Sequence, residues 1–430
     1  MRSRRGHELR ITNAALALTL LCSGAMAEDR VESSPIVGEA AERFTLEEAT
    51  RVMEETHPLL LAASKEVDAG RADAVGLRAW TNPTLMGSYT NAWNSTYDRI
   101  GLIGASLTQT LELAGAPAAR GRAAQHLAES MRMDRESLRL DLRARLHETA
   151  IAFAEAEERR QIAIDTVRRF AEVVNVVRVR VTSGAAPSYD LARIELAEAA
   201  VAADLAGTEA DLERAKGEFQ IAMGRGATRL RGTVKYDLRS PPTLPSEDAL
   251  LGFVRERSPD VASLRARVRA AEESASAARR AVFPGIGVSI ITGYGQGPNQ
   301  VDLGGALSLP IPLLDRGQGK IAAAEARIDA ARERGSAKLL EVETLVQSLL
   351  RYASIKRASS EAFNTKTAAI QDRMLSQAQD GYKGGRLSVL ELSDAFTSFR
   401  DAKLRSLTLA AEAHQASASL GRFYGLAPSK

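Results

Sequence analysis

The chain has 430 residues, 57 of them Lys or Arg and 54 Asp or Glu, for a formal net charge of +3. That length exceeds the usual single core and points to two domains, a repeat or an elongated molecule. The small, interleaved charge excludes the concentrated basic face that a nucleic-acid partner requires, so no nucleic acid is expected. Only 5% of residues are aromatic, and the abundance of Ala, Leu, Arg and Glu suits long helices packed side by side.

The N-terminus reads as an export signal over residues 1–27. Arg2, Arg4, Arg5 and Arg10 precede the apolar run Ala14 to Leu21, and the small residues "AMA" at 25–27 offer a cleavage site. Cys22 is the sole cysteine, and Leu21 stands before it where a lipoprotein signal needs a small residue. Cleavage after Ala27 therefore leaves a mature chain without disulfide or thiolate chemistry. Residues 28–43 form a short N-terminal extension. No other stretch has eighteen consecutive apolar residues, so no transmembrane helix is expected, and a membrane could be met only by closed β-strands.

Thr45 with Glu48 three residues on predicts a capping box, opening a helical pattern that runs to about Trp80, where "TNP" ends it. Two segments then lose the 3.6 period, 84–97 and 101–113. In the second, Leu107, Leu111 and Leu113 share one parity and Thr108, Thr110 and Glu112 the other, which is strand alternation. From Ala116 to Val181 the only proline is Pro117, at the start where a helix tolerates it. Some 65 residues of helix span on the order of 100 Å. Val167, Phe170, Val174, Val177 and Val181 have heptad spacing, predicting packing against another helix. "TSGAAPS" breaks the pattern, and a return helix follows from Tyr189 to Met223.

The same order then recurs. Pro58 and Pro259, Pro83 and Pro284, and Gly184 and Gly385 are each 201 residues apart. The two glycines open "GAAPSYDL" and "GRLSVLEL". The chain thus divides into a first repeat over 44–235, a linker over 236–245 and a second repeat over 246–430. The second repeat has strands expected at 286–294 and 302–313, the latter ending at Pro310 and Pro312. Four strands cannot close a membrane barrel alone, and two long hairpins leave apolar stripes uncovered. Three chains would supply twelve strands and twelve long helical segments.

Chemistry-bearing patterns are sparse. There is no Gly-rich phosphate loop, no His pair at ligand spacing and no nucleophile with its base, and the five histidines are not expected to cluster. No enzyme activity, cofactor or metal site is expected. Glu391 and Asp394 are three apart, which places both on one helical face about a turn apart. They also sit near a helix N-terminus, where carboxylates favour the dipole whatever the function, and Asp190 holds the corresponding place in the first repeat. Trp80, Tyr89, Trp93 and Tyr97 fit either an aromatic girdle at a membrane interface or ordinary strand and loop packing.

"FTLEEATRVMEETHP", the paired "NPTL" and "FPGI", "SLPIPLLDRGQGKIAAAEARI" and the two glycine turns resemble the TolC-like outer membrane efflux factors, over nearly all of the mature sequence. "PIPLLDRGQG" and "AEAHQASASLGRFYG" are most similar to the cobalt-zinc-cadmium branch. The resemblance implies a mainly α fold with a small β part: duplicated long hairpins forming an α-barrel, and a homotrimer whose twelve strands close one β-barrel in outer membrane lipid of a Gram-negative cell. It implies a passive exit duct, for heavy-metal cations by branch, joined through a periplasmic adaptor to an inner-membrane pump of the resistance-nodulation-division type. It further implies that the turns with Gly184, Pro187, Gly385 and Ser388 close the periplasmic tip and meet the adaptor. Glu391 and Asp394 would ring the pore, and Asp190 and Arg193 would make gate contacts. Two alternatives stay open: a pore-less adaptor or structural coiled-coil protein, and a duct for drugs or other small organic molecules. Adaptors interpose β domains between the arms of one hairpin and lack a whole-chain duplication.

Overall fold

The computed structural model describes residues 43–94, 97–229, 232–294 and 301–424. The expected signal peptide and residues 28–42 lie outside them. A short strand, β1 (Arg43–Thr45), leads into α1 (Leu46–Thr56) through the expected capping box. The Thr45 hydroxyl accepts the Glu48 N–H at 3.2 Å, and the Thr45 N–H donates to the Glu48 carboxylate at 2.9 Å. The helical pattern that the sequence carries on to Trp80 is in fact divided. α2 (Pro58–Arg78) starts afresh at Pro58, and His57 is extended, its Nδ1 accepting the Leu59 N–H at 3.3 Å. Proline has no N–H for the helix ladder and disfavours a helical residue before it.

The antiparallel strands β2 (Thr84–Asn94) and β3 (Tyr97–Leu111) follow. Next comes α3 (Ala116–Thr182), 67 residues long, and its return partner α4 (Ser188–Met223). A 3-10 turn (Gly224–Thr228) leads to β4 (Thr233–Lys235), which pairs in parallel with β1. This two-stranded contact was not anticipated, because three residues carry no readable alternation. The order then repeats as α5 (Glu247–Arg257), α6 (Pro259–Arg280), β5 (Ile286–Tyr294), β6 (Val301–Ser308), α7 (Gln318–Lys383) and α8 (Val389–Tyr424). Strand β6 stops at Ser308 rather than 313, since Pro310 and Pro312 cannot donate to a ladder. The sheet order is β2-β3-β5-β6, every pair antiparallel, with β2 and β6 as open edges.

Packing follows the periodicities. Phe170, Val174 and Val177 of the heptad stripe are buried, with Val167 and Val181 packed against them. They share one core with Ile194 and Val201 of α4, Leu375 and Tyr382 of α7, and Leu392 and Phe396 of α8. Both hairpins thus close on a common apolar centre near their turns. Nearer the strands, Met53, Leu146, Phe153 and Phe219 form a second core beneath α1.

Candidate functional site

The pairing register sorts the sheet into two unlike faces, because directly opposed residues lie on the same side. One row is Leu85, Leu107 and Ile290; another is Tyr89, Ile103, Tyr294 and Val301. All of these are exposed, as are Leu303 at 78% and Leu307 at 77%. The opposite face carries Thr84, Ser88, Ser106, Thr108, Ser289, Asp302 and Ser308, with the large apolar residues Met86 and Ile291 among them. There the Thr108 and Ser289 hydroxyls bond at 2.8 Å. An apolar face without a partner layer among the described residues, and a mainly polar face opposite, match a sheet with lipid outside and water inside. Of the aromatic residues, Tyr89 lies on the apolar face and exposed Trp80 just before β2. Trp93 and Tyr97 lie where only the backbone is described.

At the other end each hairpin turns on a left-handed glycine, Gly184 at φ 76° and Gly385 at φ 70°. The bonds match position for position. Ala185 N–H donates to Arg180 O at 2.7 Å and Gly184 N–H to Val181 O at 3.0 Å. Arg386 N–H donates to Gly381 O at 2.8 Å and Gly385 N–H to Tyr382 O at 3.0 Å. This is the Schellman closure, which satisfies helix-end carbonyls only when one residue has positive φ. A Cβ on Gly184 would meet nothing within 4 Å, so backbone conformation alone sets the cost there. Gly184→Ala and Gly385→Ala are each expected to destabilise the tip by about 1–2 kcal/mol, read as faster amide exchange confined to residues flanking the turn.

The two turns differ at their restarts. Pro187 gives α4 no side-chain cap, whereas Ser388 and Glu391 form a full capping box on α8. The Glu391 carboxylate accepts the Ser388 N–H at 2.7 Å and its hydroxyl at 2.8 Å, while the Ser388 hydroxyl accepts the Glu391 N–H at 3.3 Å. Those bonds, the backbone one foremost, hold the Glu391 carboxyl below the usual range. Asp394 is exposed one turn further on, and Arg193 is exposed on α4. Asp190 is half-buried and close enough to raise the Tyr382 hydroxyl, though burial is the larger cause and Arg180 opposes both.

Arg180 and Tyr382 were missed in the sequence. The Arg180 Nη1 donates to the Tyr382 carbonyl at 2.7 Å, and its guanidinium lies 4.8 Å from the centre of the Tyr382 ring. The first hairpin's end is thereby fastened to the second's by a hydrogen bond and a cation–π contact. Arg400 adds an ion pair with Asp204 at 3.0 Å between α8 and α4. Nothing in the spacing marks Arg180, which sits in a run of alternating Arg and Val.

The expectation that the histidines do not cluster is corrected. The Tyr236 hydroxyl lies 3.0 Å from His147 Nε2 and 3.1 Å from His414 Nδ1. The packing of α8 against α3, with the β4 segment crossing them, brings the three together. One hydroxyl can donate to one imidazole and accept from the other with both histidines neutral, which leaves His147 Nδ1 and His414 Nε2 buried without a hydrogen-bond partner among the described residues. Burial holds both imidazoles below the usual range, His147 at about 4. It also raises the Tyr236 hydroxyl. Among the described residues no three His, Cys, Asp or Glu gather at metal-binding spacing.

The solved structures of CusC, reported with transmembrane channel formation, superpose with a TM-score of 0.70 at 18% identity, over 89% of this chain and 92% of that one. The cobalt-zinc-cadmium resistance protein CzcC of Cupriavidus metallidurans is 24% identical across 90% of this chain and 91% of its own length. The nickel-cobalt-cadmium resistance protein NccC of Alcaligenes xylosoxydans xylosoxydans is 26% identical across 68% of this chain and 66% of its own. The sequence pattern of the family described as outer membrane efflux protein matches residues 51–225 and 250–426. Those two segments take in both hairpins and both strand pairs, so the chain belongs to the outer membrane efflux protein family.

Proposed function

We propose that three copies of this outer membrane efflux protein close one continuous exit duct, and that its cargo is heavy-metal cations. The observation that carries the reading is the four-stranded sheet with one apolar face and two open edges. Open edges in lipid leave backbone groups without partners, and pairing β6 of one copy with β2 of the next removes every edge. Three copies give twelve strands, within the range of closed membrane barrels. The polar face then lines the water path, and the paired long helices continue its wall. Such a duct needs no catalytic group. Export after Ala27, and descent of 44–235 and 246–430 from one unit joined by 236–245, complete the reading.

The metal cargo is supported by the names of the two resistance proteins and by acids at the tip. In a trimer Glu391 and Asp394 would form two stacked rings of three carboxylates, which attract cations in a narrow pore. The turns at Gly184, Pro187, Gly385 and Ser388 would meet a periplasmic adaptor, itself joined to an inner-membrane pump of the resistance-nodulation-division type. Asp190 and Arg193 would make contacts that hold the tip closed. Heat-modifiable trimers that conduct ions in a planar bilayer are the expected result; a monomer without conductance would remove the channel. A deletion strain is expected to be sensitive to zinc, cobalt or cadmium, and sensitivity to drugs alone would overturn the metal cargo.

The capping box gives Glu391 a second role, so charge and capping must be separated. Gln also closes a capping box. Glu391→Gln with Asp394→Asn is therefore expected to keep the helix start while lowering cation preference and block by multivalent cations. Unchanged ion selectivity would sink the ring.

A further inference from the structure

The apolar alternation of β6 does not stop where its ladder stops. Val301, Leu303 and Leu307 alternate along the strand, and Leu309, Ile311 and Leu313 hold the same parity through the next six residues. The last three are 58%, 71% and 72% exposed. Eight residues at about 3.4 Å each, tilted by about 40°, rise about 21 Å against an apolar band of about 25 Å. Residues 309–313 therefore fall at the rim of the band. It is the helical-side rim, because β2 and β5 begin there and β3 ends there.

The backbone of this segment is also adapted to a place with little water. Pro310 and Pro312 have no N–H, and the Leu313 N–H donates to Ile311 O at 2.9 Å. Three of the five amide positions thus ask nothing of their surroundings, whereas an unpaired N–H in lipid finds no partner. Exposed Arg316 and Lys320 follow directly, placing long cationic side chains where they can reach lipid phosphates while their stems lie along apolar surface. Each other strand end at this rim also shows a large exposed apolar residue: Trp80, Leu113 and Phe283.

We infer that residues 309–314 are a lipid-interface segment, lying in the headgroup boundary of the membrane leaflet on the helical side, with Arg316 and Lys320 on phospholipid phosphates. The inference rests on the membrane-channel reading. The occupant is phospholipid rather than a neighbouring copy, because the stripe is continuous with the face of β6 that the barrel turns outward.

The test places one tryptophan in the full chain, with Trp80→Phe and Trp93→Phe, as either Leu313→Trp or Leu303→Trp. Heat-modifiable trimers are reconstituted in phosphatidylcholine vesicles brominated near the headgroup or deep in the chains. Leu313→Trp is expected to lose at least half its fluorescence to shallow bromine and less to deep bromine, with the order reversed for Leu303→Trp. Ile311→Trp, of the same parity, should repeat the Leu313→Trp pattern and serves if that variant fails to trimerise. Quenching of Leu303→Trp alone would overturn the proposal, whether the segment lies in water or under a neighbouring copy. Quenching of neither would remove the membrane channel and this inference with it.

Discussion

Leu303→Arg is expected to strip the outer membrane of most folded protein, while Asp302→Arg beside it leaves insertion intact and changes conduction instead. The two residues are adjacent on β6 but face opposite sides, since Leu303 pairs with Thr292 and Asp302 with Gly293. Side chains alternate strictly across a strand, so Leu303 joins the exposed apolar rows and Asp302 the hydroxyl-bearing ones. A cation on the lipid face near the bilayer midplane costs about 2–4 kcal/mol. With a factor of ten for each 1.4 kcal/mol or so, the folded chain should fall by tens to hundreds of times, and the trimer, which holds three such arginines, by more. Asp302→Arg costs little for folding but turns a lumen charge from negative to positive, so single-channel current should shift toward anions. The measurement is the heat-modifiable fraction of each variant in outer membrane extracts, followed by conductance of the survivor. Equal loss in both would mean that the two faces are not lipid and water.

Lowering the pH from 7 to 4 is expected to weaken the junction between the repeats, and His147→Gln should flatten that response. In the unfolded chain an imidazole titrates near pH 6.5, whereas burial against Tyr236 and His414 lowers His147 to about 4. Between those values the unfolded chain binds a proton that the folded chain does not. Stability from this group is therefore full above about pH 6.5 and falls as pH drops toward 4, at about 1.4 kcal/mol per pH unit. The loss on reaching pH 4 is on the order of 3 kcal/mol, and His414, lowered in the same direction, adds to it. Burial is the larger effect on His414, opposed by backbone hydrogen bonding at Ser240, the charge of Asp237 and backbone hydrogen bonding at Leu238. The difference in denaturant midpoint between the parent and His147→Gln across pH 4–7 isolates the histidine from the many carboxylates that also titrate. A constant difference would show that His147 is charged or solvated in the folded protein.

Local chemistry wrote much of this molecule openly. Thr45 with Glu48 announces a capping box because a helix start leaves N–H groups free within three residues. Gly184 and Gly385 announce the turns because only a residue at ease with positive φ closes a Schellman bond. The parity of Leu107 and Thr108, and the heptad of Val167 to Val181, likewise depend on neighbours two to four positions apart, where backbone geometry dictates who shares a face. The resemblance built on those stretches pointed to the right family for the same reason.

Tertiary structure decided the contacts between stretches far apart in the chain. Arg180 on Tyr382, Tyr236 between His147 and His414, and β1 beside β4 all link positions distant in sequence, none with a local period. Their contacts depend on how helices roughly 100 Å long slide along one another. A slip of one turn, about 5.4 Å, would leave every heptad stripe apolar and every cap intact, yet carry Arg180 past Tyr382 and His414 past Tyr236. Sequence alone therefore determined the long helices, their glycine turns, the duplication and the alternation of one strand. Only the packed structure set the register between helices, and with it the latch at the tip and the neutral histidine pair at the junction.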